Sequence, residues 1–445
     1  MRFLLDAEQR AFAASLDAML GSADTPSAVR AWADGDHAPG LALWSRLAGA
    51  GVFALAVPEA YEGVGPLPVD LAVAFVELGR HAVPGPVVET VAAAALLGEL
   101  SALGEPGPAE RLLPGLASGK SLATLVLPGG RAPAPVASAP PDDHTPDTTA
   151  APSDRHTPST TQAPSGGHAP DTTAAPSGGH TQDPALAALS GGSAPDTTAA
   201  PSGGHAQDPA LAALSGGSAP DTTAAPSGGH APGPTRAVLS GGHALDVDVA
   251  AVSLVVDGDR LRLASGHGPV RASVDRARRL ARPESGGELL AAGPRVTRAA
   301  LRALAWARLA TAAQALGVGL ALLGRTVTYV GQRTQFGVPV ASFQAVKHRL
   351  ADATIALEFA RPLLVGAALS MAPADVAAAK VRACEAAYAT ARTALQLHGA
   401  IGYTAEYDLS LWFTKARALR TAWGTPAACR AEALAGLSGG GRPRS

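Results

Sequence analysis

The chain has 445 residues, 47% of them hydrophobic and 16% charged, with a formal net charge of -2. That length is enough for two or three domains, and the near-neutral balance gives no basis for nucleic acid or an acidic membrane surface as a partner. Only two cysteines are present, Cys384 and Cys429, each in an Ala-rich helical context; this argues against a disulfide framework or a Cys-based metal site and fits a reducing cytoplasm.

The opening MRFLLDAEQRAF gains charge within six residues, and nowhere do eighteen apolar residues follow one another. A soluble, cytoplasmic, unexported chain with no membrane partner is expected. Over residues 1–116 the runs LLDAEQRAFAASLDAML, ALWSRLAGAGVFAL and VDLAVAFVELGRHAV space their apolar residues three and four apart, which predicts a helical N-terminal domain. Pro58 to Gly63 and Val83 to Pro86 punctuate it as turns.

The middle changes character. APDTTAAPSGGH recurs from Ala169, Ala194 and Ala219, a period of 25 residues. A solenoid unit needs an apolar face to stack, and these repeats offer only short Leu-Ala steps among Gly, Pro, Ser and Thr. Residues 129–241 are therefore read as a disordered, low-complexity insert. On either side lie strand-like pieces, SLATLVLP and VDVAAVSLVVDGDRLRLASG, with Asp257-Gly258 as a hairpin turn. They predict a small β domain over 117–128 and 242–290, split by the insert. No Phe, Tyr or Trp lies between Phe75 and Trp306.

From 291 to 436 helical spacing returns, followed by a tail at 437–445. Phe343, Val346, Leu350, Ala353, Leu357, Ala360 and Leu364 alternate three and four apart, the seam of a bundle helix, which Pro362 should kink or end. A further helix starts after Pro373 and closes at Gly399. With the helix before Arg325 and one from Thr404 to about Arg420, this makes an antiparallel four-helix bundle. The fold class is thus mainly α with a small β middle domain.

Two turns at the helix ends carry the chemistry. Arg333, Gln335, Phe336 and Gly337 form an Arg-x-x-Phe-Gly turn, and QLHGAIGYT begins at Gln396. Such turns can bring a guanidinium, carboxamides and exposed backbone N–H groups to one phosphate-bearing cofactor. Taken alone, the first is also readable as an exposed arginine closing a helix, with Phe336 as a staple. Tyr329, Gln344, His348 and the Leu350 to Asp352 run set it in context. Together with VPEAYEGVGP at 57–66 and VELGR at 76–80, these features resemble the acyl-CoA dehydrogenases, flavoenzymes that desaturate acyl thioesters.

The resemblance implies FAD as cofactor. Arg333 and Gln335 would meet its diphosphate, and Gln396, Gly399, Ala400 and Gly402 its adenylate side, with Phe336 and Gln344 beside them. Ala400 replaces the family's second glycine in that turn. His398 is expected to pack the helix end rather than move protons. The family's base is a glutamate in a turn after the last bundle helix, where this chain has Trp423, or in an earlier helix near Ala307, where RALAWARLATAAQ holds no Asp or Glu. Glu406 and Asp408, in TAEYDL, are already explained as partners of a helix N-terminus. No catalytic residue is assigned.

In the family these helix-end contacts reach the flavin of a neighbouring subunit. The resemblance therefore implies an acyl-CoA dehydrogenase acting on an acyl-CoA substrate, with this chain as the base-lacking subunit of a hetero-oligomer and an electron-transferring flavoprotein as acceptor. Two other readings stay open: a self-sufficient, homo-oligomeric dehydrogenase with an unrecognised base, and a non-catalytic scaffold whose repeats form an interaction segment.

Overall fold

The computed structural model describes residues 5–127, 242–284 and 286–439. The expectation of disorder for the insert concerns residues outside that range.

The N-terminal helices are α1 (Ala7–Gly21), α2 (Thr25–Asp34), α3 (Ala38–Gly49), α4 (Pro68–Arg80), α5 (Val87–Ala102) and α6 (Gly107–Ala117). Their starts follow local chemistry. Gln9 donates its backbone N–H to Asp6 while its side chain accepts from the Asp6 N–H, closing a capping box at α1. Asp24 caps α2, and prolines open α2, α3, α4 and α6 where no intrahelical N–H is needed. The turns at Pro58 to Gly63 and Val83 to Pro86 fall between helices as expected.

Two sheets follow. β1 (Ala123–Val126) lies before the insert and pairs in parallel with β3 (Val252–Asp257) after it. β4 (Arg260–Leu263) and β7 (Glu288–Ala292) complete the order β1-β3-β4-β7, while β2 (Ala244–Leu245), β6 (Arg279–Ala281) and β5 (Arg271–Ala272) form a smaller sheet. Strand alternation divides β3 between two cores: Val252, Leu254 and Val256 join the main core, and Val255 meets Val126, Ala244 and Val247 on the other face. The hairpin turn sits one residue later than the sequence suggested. Asp257 pairs with Arg260, so Gly258 and Asp259 are the loop.

The C-terminal helices are α7 (Pro294–Gln332), α8 (Gln344–Ser370), α9 (Pro373–His398), α10 (Leu409–Thr421) and α11 (Pro426–Gly439). α7 through α10 form the bundle read from the sequence, and α11 adds a fifth helix against α9. α7 is the shared pillar, packing on α4 and α5 and on α8, α9 and α10. Where it crosses α4 the glycines are reciprocal. A Cβ on Gly317 would strike the Val76 carbonyl, and one on Gly79 the Gln314 carbonyl.

Two expectations are corrected. α8 runs unbroken through Pro362, whose exposed position lets water meet the carbonyl that loses its donor. α10 begins at Leu409 rather than Thr404, because residues 399–403 form a 3-10 turn and Asp408 is drawn aside to Arg30 at 2.7 Å. Asp408 makes no side-chain cap at α10, so its role as a helix-end partner is replaced by this ion pair. In the predicted seam, Val346, Leu350, Ala353, Leu357, Ala360 and Leu364 are buried. Phe343 is not; it precedes the helix and is 38% exposed.

Candidate functional site

The Arg-x-x-Phe-Gly segment forms a two-residue hairpin between α7 and α8. β8 (Thr334–Gln335) pairs with β9 (Val338–Pro339), and the loop residues Phe336 and Gly337 take φ of 56° and 78°. Two positive φ values define the tight turn that matches strand twist; glycine adopts it freely, whereas phenylalanine is strained there. Phe336 is 92% exposed, its ring edge-on to Phe343 at 6.2 Å. Val340 N–H donates to the Arg333 carbonyl at 2.8 Å and pins the hairpin to the end of α7. Arg333 and Gln335 are exposed on it, and Gln344 is the first, exposed residue of α8.

The second turn closes α9. Gly399 adopts φ 63°, ψ -137°, Ala400 is exposed, and Gly402 is buried against His398 and Leu395. Both turns stand on one small apolar cluster of Val327, Val330, Ala341, Val346 and Leu350, joined by Tyr329, Val340 and Leu397. The Tyr329 ring stacks on His398 with centroids 4.2 Å apart, and its hydroxyl donates to the His398 carbonyl at 3.3 Å. His398 Nδ1 bonds to the Ala394 carbonyl at 2.8 Å, and burial holds its pKa below the ordinary value. The imidazole is thus a neutral packing group at the helix end.

Arg349 was not singled out in the sequence. It donates to Gln396 Oε1 at 2.6 Å, which turns the carboxamide so that its NH2 points away as a free donor. Its place directly after His348 and about a turn beyond Gln344, on the exposed side of the seam, was the available signal. With the N-terminus of α8 and its unpaired N–H groups close by, these donors can hold a diphosphate-type anion.

A separate convergence lies at the middle of α7. Trp423 sits in a left-handed turn (φ 57°) before Gly424 (φ 129°). Arg308, the residue after Ala307, donates through Nε to the Trp423 carbonyl at 3.0 Å and through Nη1 to Glu432 at 2.5 Å. Lys380, 1% exposed, donates to the Gly424 carbonyl at 2.8 Å. The two positions at which the family resemblance places a glutamate therefore meet in space, around a tryptophan and an arginine. Glu406 is exposed, and its backbone carbonyl accepts from Arg30 at 3.0 Å.

Glu89 on α5 also escaped the sequence reading, although it is the one acid in the apolar run VVETVAAAALL. It is 3% exposed, 3.8 Å from Arg278 and directed toward the Trp423 indole, and burial raises its pKa. Lys415 and Asp275 form a second buried pair nearby at 3.9 Å.

Comparison with known proteins agrees with this architecture. Residues 6–120 match the acyl-CoA dehydrogenase N-terminal domain and residues 297–435 the acyl-CoA dehydrogenase C-terminal domain. The chain belongs to the acyl-CoA dehydrogenase family, flavoproteins that use FAD. It is 38% identical over 146 residues to the acyl-CoA dehydrogenase IpdE2 of Mycobacterium tuberculosis, a match covering 33% of this chain and 44% of that protein. It is likewise 38% identical over 123 residues to the mitochondrial short-chain specific acyl-CoA dehydrogenase of Bos taurus, covering 26% of this chain and 30% of that one. The chain thus spans less than half the length of these relatives. In fold it is similar to one chain of the ChsE4-ChsE5 complex from Mycobacterium tuberculosis, with TM-score 0.63 and 20% identity over 100% of both chains. A variant of the Tcur3481-Tcur3483 steroid acyl-CoA dehydrogenase gives TM-score 0.64 and 23% identity over 97% of this chain and 98% of that one.

Proposed function

We propose that this chain is the base-lacking subunit of a heteromeric, FAD-dependent acyl-CoA dehydrogenase, giving Arg333, Gln335, Gln396 and the N–H groups around Gly399 to a flavin held mainly by a related chain. The observation that carries this reading is the Arg308–Trp423 convergence. A base for an α-proton must be a free carboxylate beside the thioester. Trp423 supplies none, and Glu432 is engaged by Arg308 at 2.5 Å. The likeness to two structures named as pairs of chains supports a two-chain assembly. FAD would supply the hydride-accepting ring, and an electron-transferring flavoprotein would be the onward acceptor. The residues named here fit the phosphate arm, because a guanidinium is a donor only and the Gln396 carboxamide, with its Oε1 taken by Arg349, presents its NH2.

The test is purification with and without a co-expressed glutamate-bearing relative, recording flavin absorbance and its bleaching by acyl-CoA. Bleaching only in the pair is expected. Bleaching by this chain alone overturns the reading.

A second reading rests on Glu89, a buried carboxylate with a raised pKa facing Trp423. If this chain is self-sufficient, Glu89 is the group that would take the proton. Glu89→Gln would then abolish bleaching by the isolated chain.

A further inference from the structure

A cavity of about 300 Å3 opens between α1, α4, α7 and α8, and none of the residues lining it belongs to either helix-end turn or to the Trp423 turn. Its origin lies in the α4–α7 crossing. The glycine contacts of Gly317 with Val76 and of Gly79 with Gln314 press the two helices together at one point, and helices that cross at an angle diverge beyond it. The wedge that results is walled by short side chains: Ala13 from α1, Val69, Val73 and Val76 from α4, Leu316 from α7 and Val365 from α8. Val69, Val73 and Val76 are four and three residues apart, so they share one face of α4. Interiors hold few voids larger than a water molecule. This one is roughly twice the ~150 Å3 that accommodates a benzene ring, and an apolar cavity takes an apolar body rather than water.

Two guanidinium groups stand at the exposed side of the cavity. Arg10 donates through Nη1 to the Leu5 carbonyl at 2.6 Å and has no acidic partner among the described residues. Arg361 gives Nε and Nη2 to Glu358, which leaves its Nη1 unpartnered among the described residues. The one acid in the lining is Glu77, 7% exposed. No hydrogen bond reaches its carboxylate among the described residues. Arg80 on its own helix lies 3.4 Å away, Arg361 acts on it from α8 and Asp17 from α1, where His81 holds Asp17 at 2.7 Å. Burial outweighs the two arginines and pushes the Glu77 pKa up to about 7. Near neutral pH it can therefore carry a proton and donate to an anion instead of repelling it.

An apolar slot with two spare guanidinium edges at its mouth fits an amphiphile with an anionic, planar head. We propose that this cavity binds a free medium-chain carboxylate, its alkyl chain of roughly ten carbons lying between α4 and α8 and its carboxylate on Arg10 and Arg361. A cationic head would meet both arginines, and an uncharged one would leave them unused. The site is independent of the functional reading above, since it shares no residue with the flavin-binding turns.

The test is calorimetric titration at pH 7 of the full chain, in the assembly in which it purifies, with hexanoate, octanoate, decanoate, decanol and decylamine. Wild type, Arg10→Gln, Arg361→Gln and Val73→Trp are compared, and the melting temperature of each is recorded. Affinity is expected to rise about fourfold per methylene from hexanoate to decanoate, the worth of a buried CH2. Decanol and decylamine should bind at least tenfold more weakly than decanoate. Arg10→Gln and Arg361→Gln should each weaken decanoate three- to tenfold and leave decanol unchanged, and Val73→Trp should abolish binding by filling the slot. Because Val73→Trp may disturb folding, nuclear Overhauser contacts from decanoate to the Val73 and Val76 methyl groups of the wild type locate the ligand without any variant. Decanol binding as tightly as decanoate, or full decanoate affinity in both arginine variants, removes the carboxylate from the assignment and overturns it. Decanoate that keeps its affinity in a folded Val73→Trp variant, or whose contacts fall on other residues, belongs to a different site and overturns it too. So does the absence of any decanoate binding.

Discussion

Arg308 reaches the Trp423 carbonyl through Nε at 3.0 Å and Glu432 through Nη1, tying the middle of α7 to the turn before α11 and to α11 itself. With its side chain only 8% exposed, the guanidinium holds the left-handed Trp423 in place. Arg308→Met should therefore cost roughly 2–4 kcal/mol, since it leaves a carbonyl and a carboxylate without their donor. Urea denaturation should show this as a lower midpoint at unchanged slope.

Arg333→Ala should lower FAD retention by the assembled enzyme by about 1.5–3 kcal/mol, the worth of a hydrogen bond to a charged group. Equilibrium dialysis of the flavin measures it. Arg333→Lys should recover only part, because an ammonium cannot reproduce the two-pronged contact.

Gly317→Ala separates helix propensity from packing. Alanine is the better helix former by about 1 kcal/mol. Its Cβ, however, would meet the Val76 carbonyl across the α4–α7 crossing. Net destabilisation of about 1–3 kcal/mol is expected, typical of overpacking, and a thermal melt decides the sign.

Asp246 sets a pH dependence. Burial, opposed by the Trp32 indole that donates to it at 3.2 Å, raises its pKa from 3.8 to about 8. A carboxyl raised on folding stabilises the native state fully below its unfolded pKa, and that contribution is lost as pH climbs toward 8. Wild-type stability should thus fall between about pH 4 and 8, Glu89 adding in the same sense. Asp246→Asn, which tolerates the left-handed φ of 50° and keeps the acceptor for Trp32, should flatten the profile by on the order of 2–4 kcal/mol. Denaturant melts across that range provide the measurement.

Deleting Ala150 to His230 should leave assembly and turnover unchanged. Gel filtration and a dye-coupled acyl-CoA assay would show it, and loss of partner binding would favour the scaffold reading.

Features that depend on near neighbours in the chain were readable from its letters. The α8 seam followed from three-and-four spacing, β1 and β3 from β-branched runs, and the two helix-end turns from their glycines. What stayed hidden depends on contacts distant in sequence. Arg308 meets Trp423 across 115 residues and Arg349 meets Gln396 across 47, and no local period encodes either. Glu89 stands alone among apolar neighbours in the sequence, and its partner Arg278 comes from the β region far along the chain. Pro362 misled because the breaker rule assumes that the freed carbonyl has no water, and TAEYDL because capping-type residues also build turns.

The parallel pairing of β1 with β3 has an evolutionary corollary. Parallel neighbours cannot be joined by a tight turn, so some crossover must always link Val126 to the strands after Gly242. Closure entropy rises only logarithmically, by roughly 0.6 kcal/mol per doubling of the span. Replication slippage could add or erase whole 25-residue units there, and paralogues of this chain should differ in repeat number while sharing the strand register on either side.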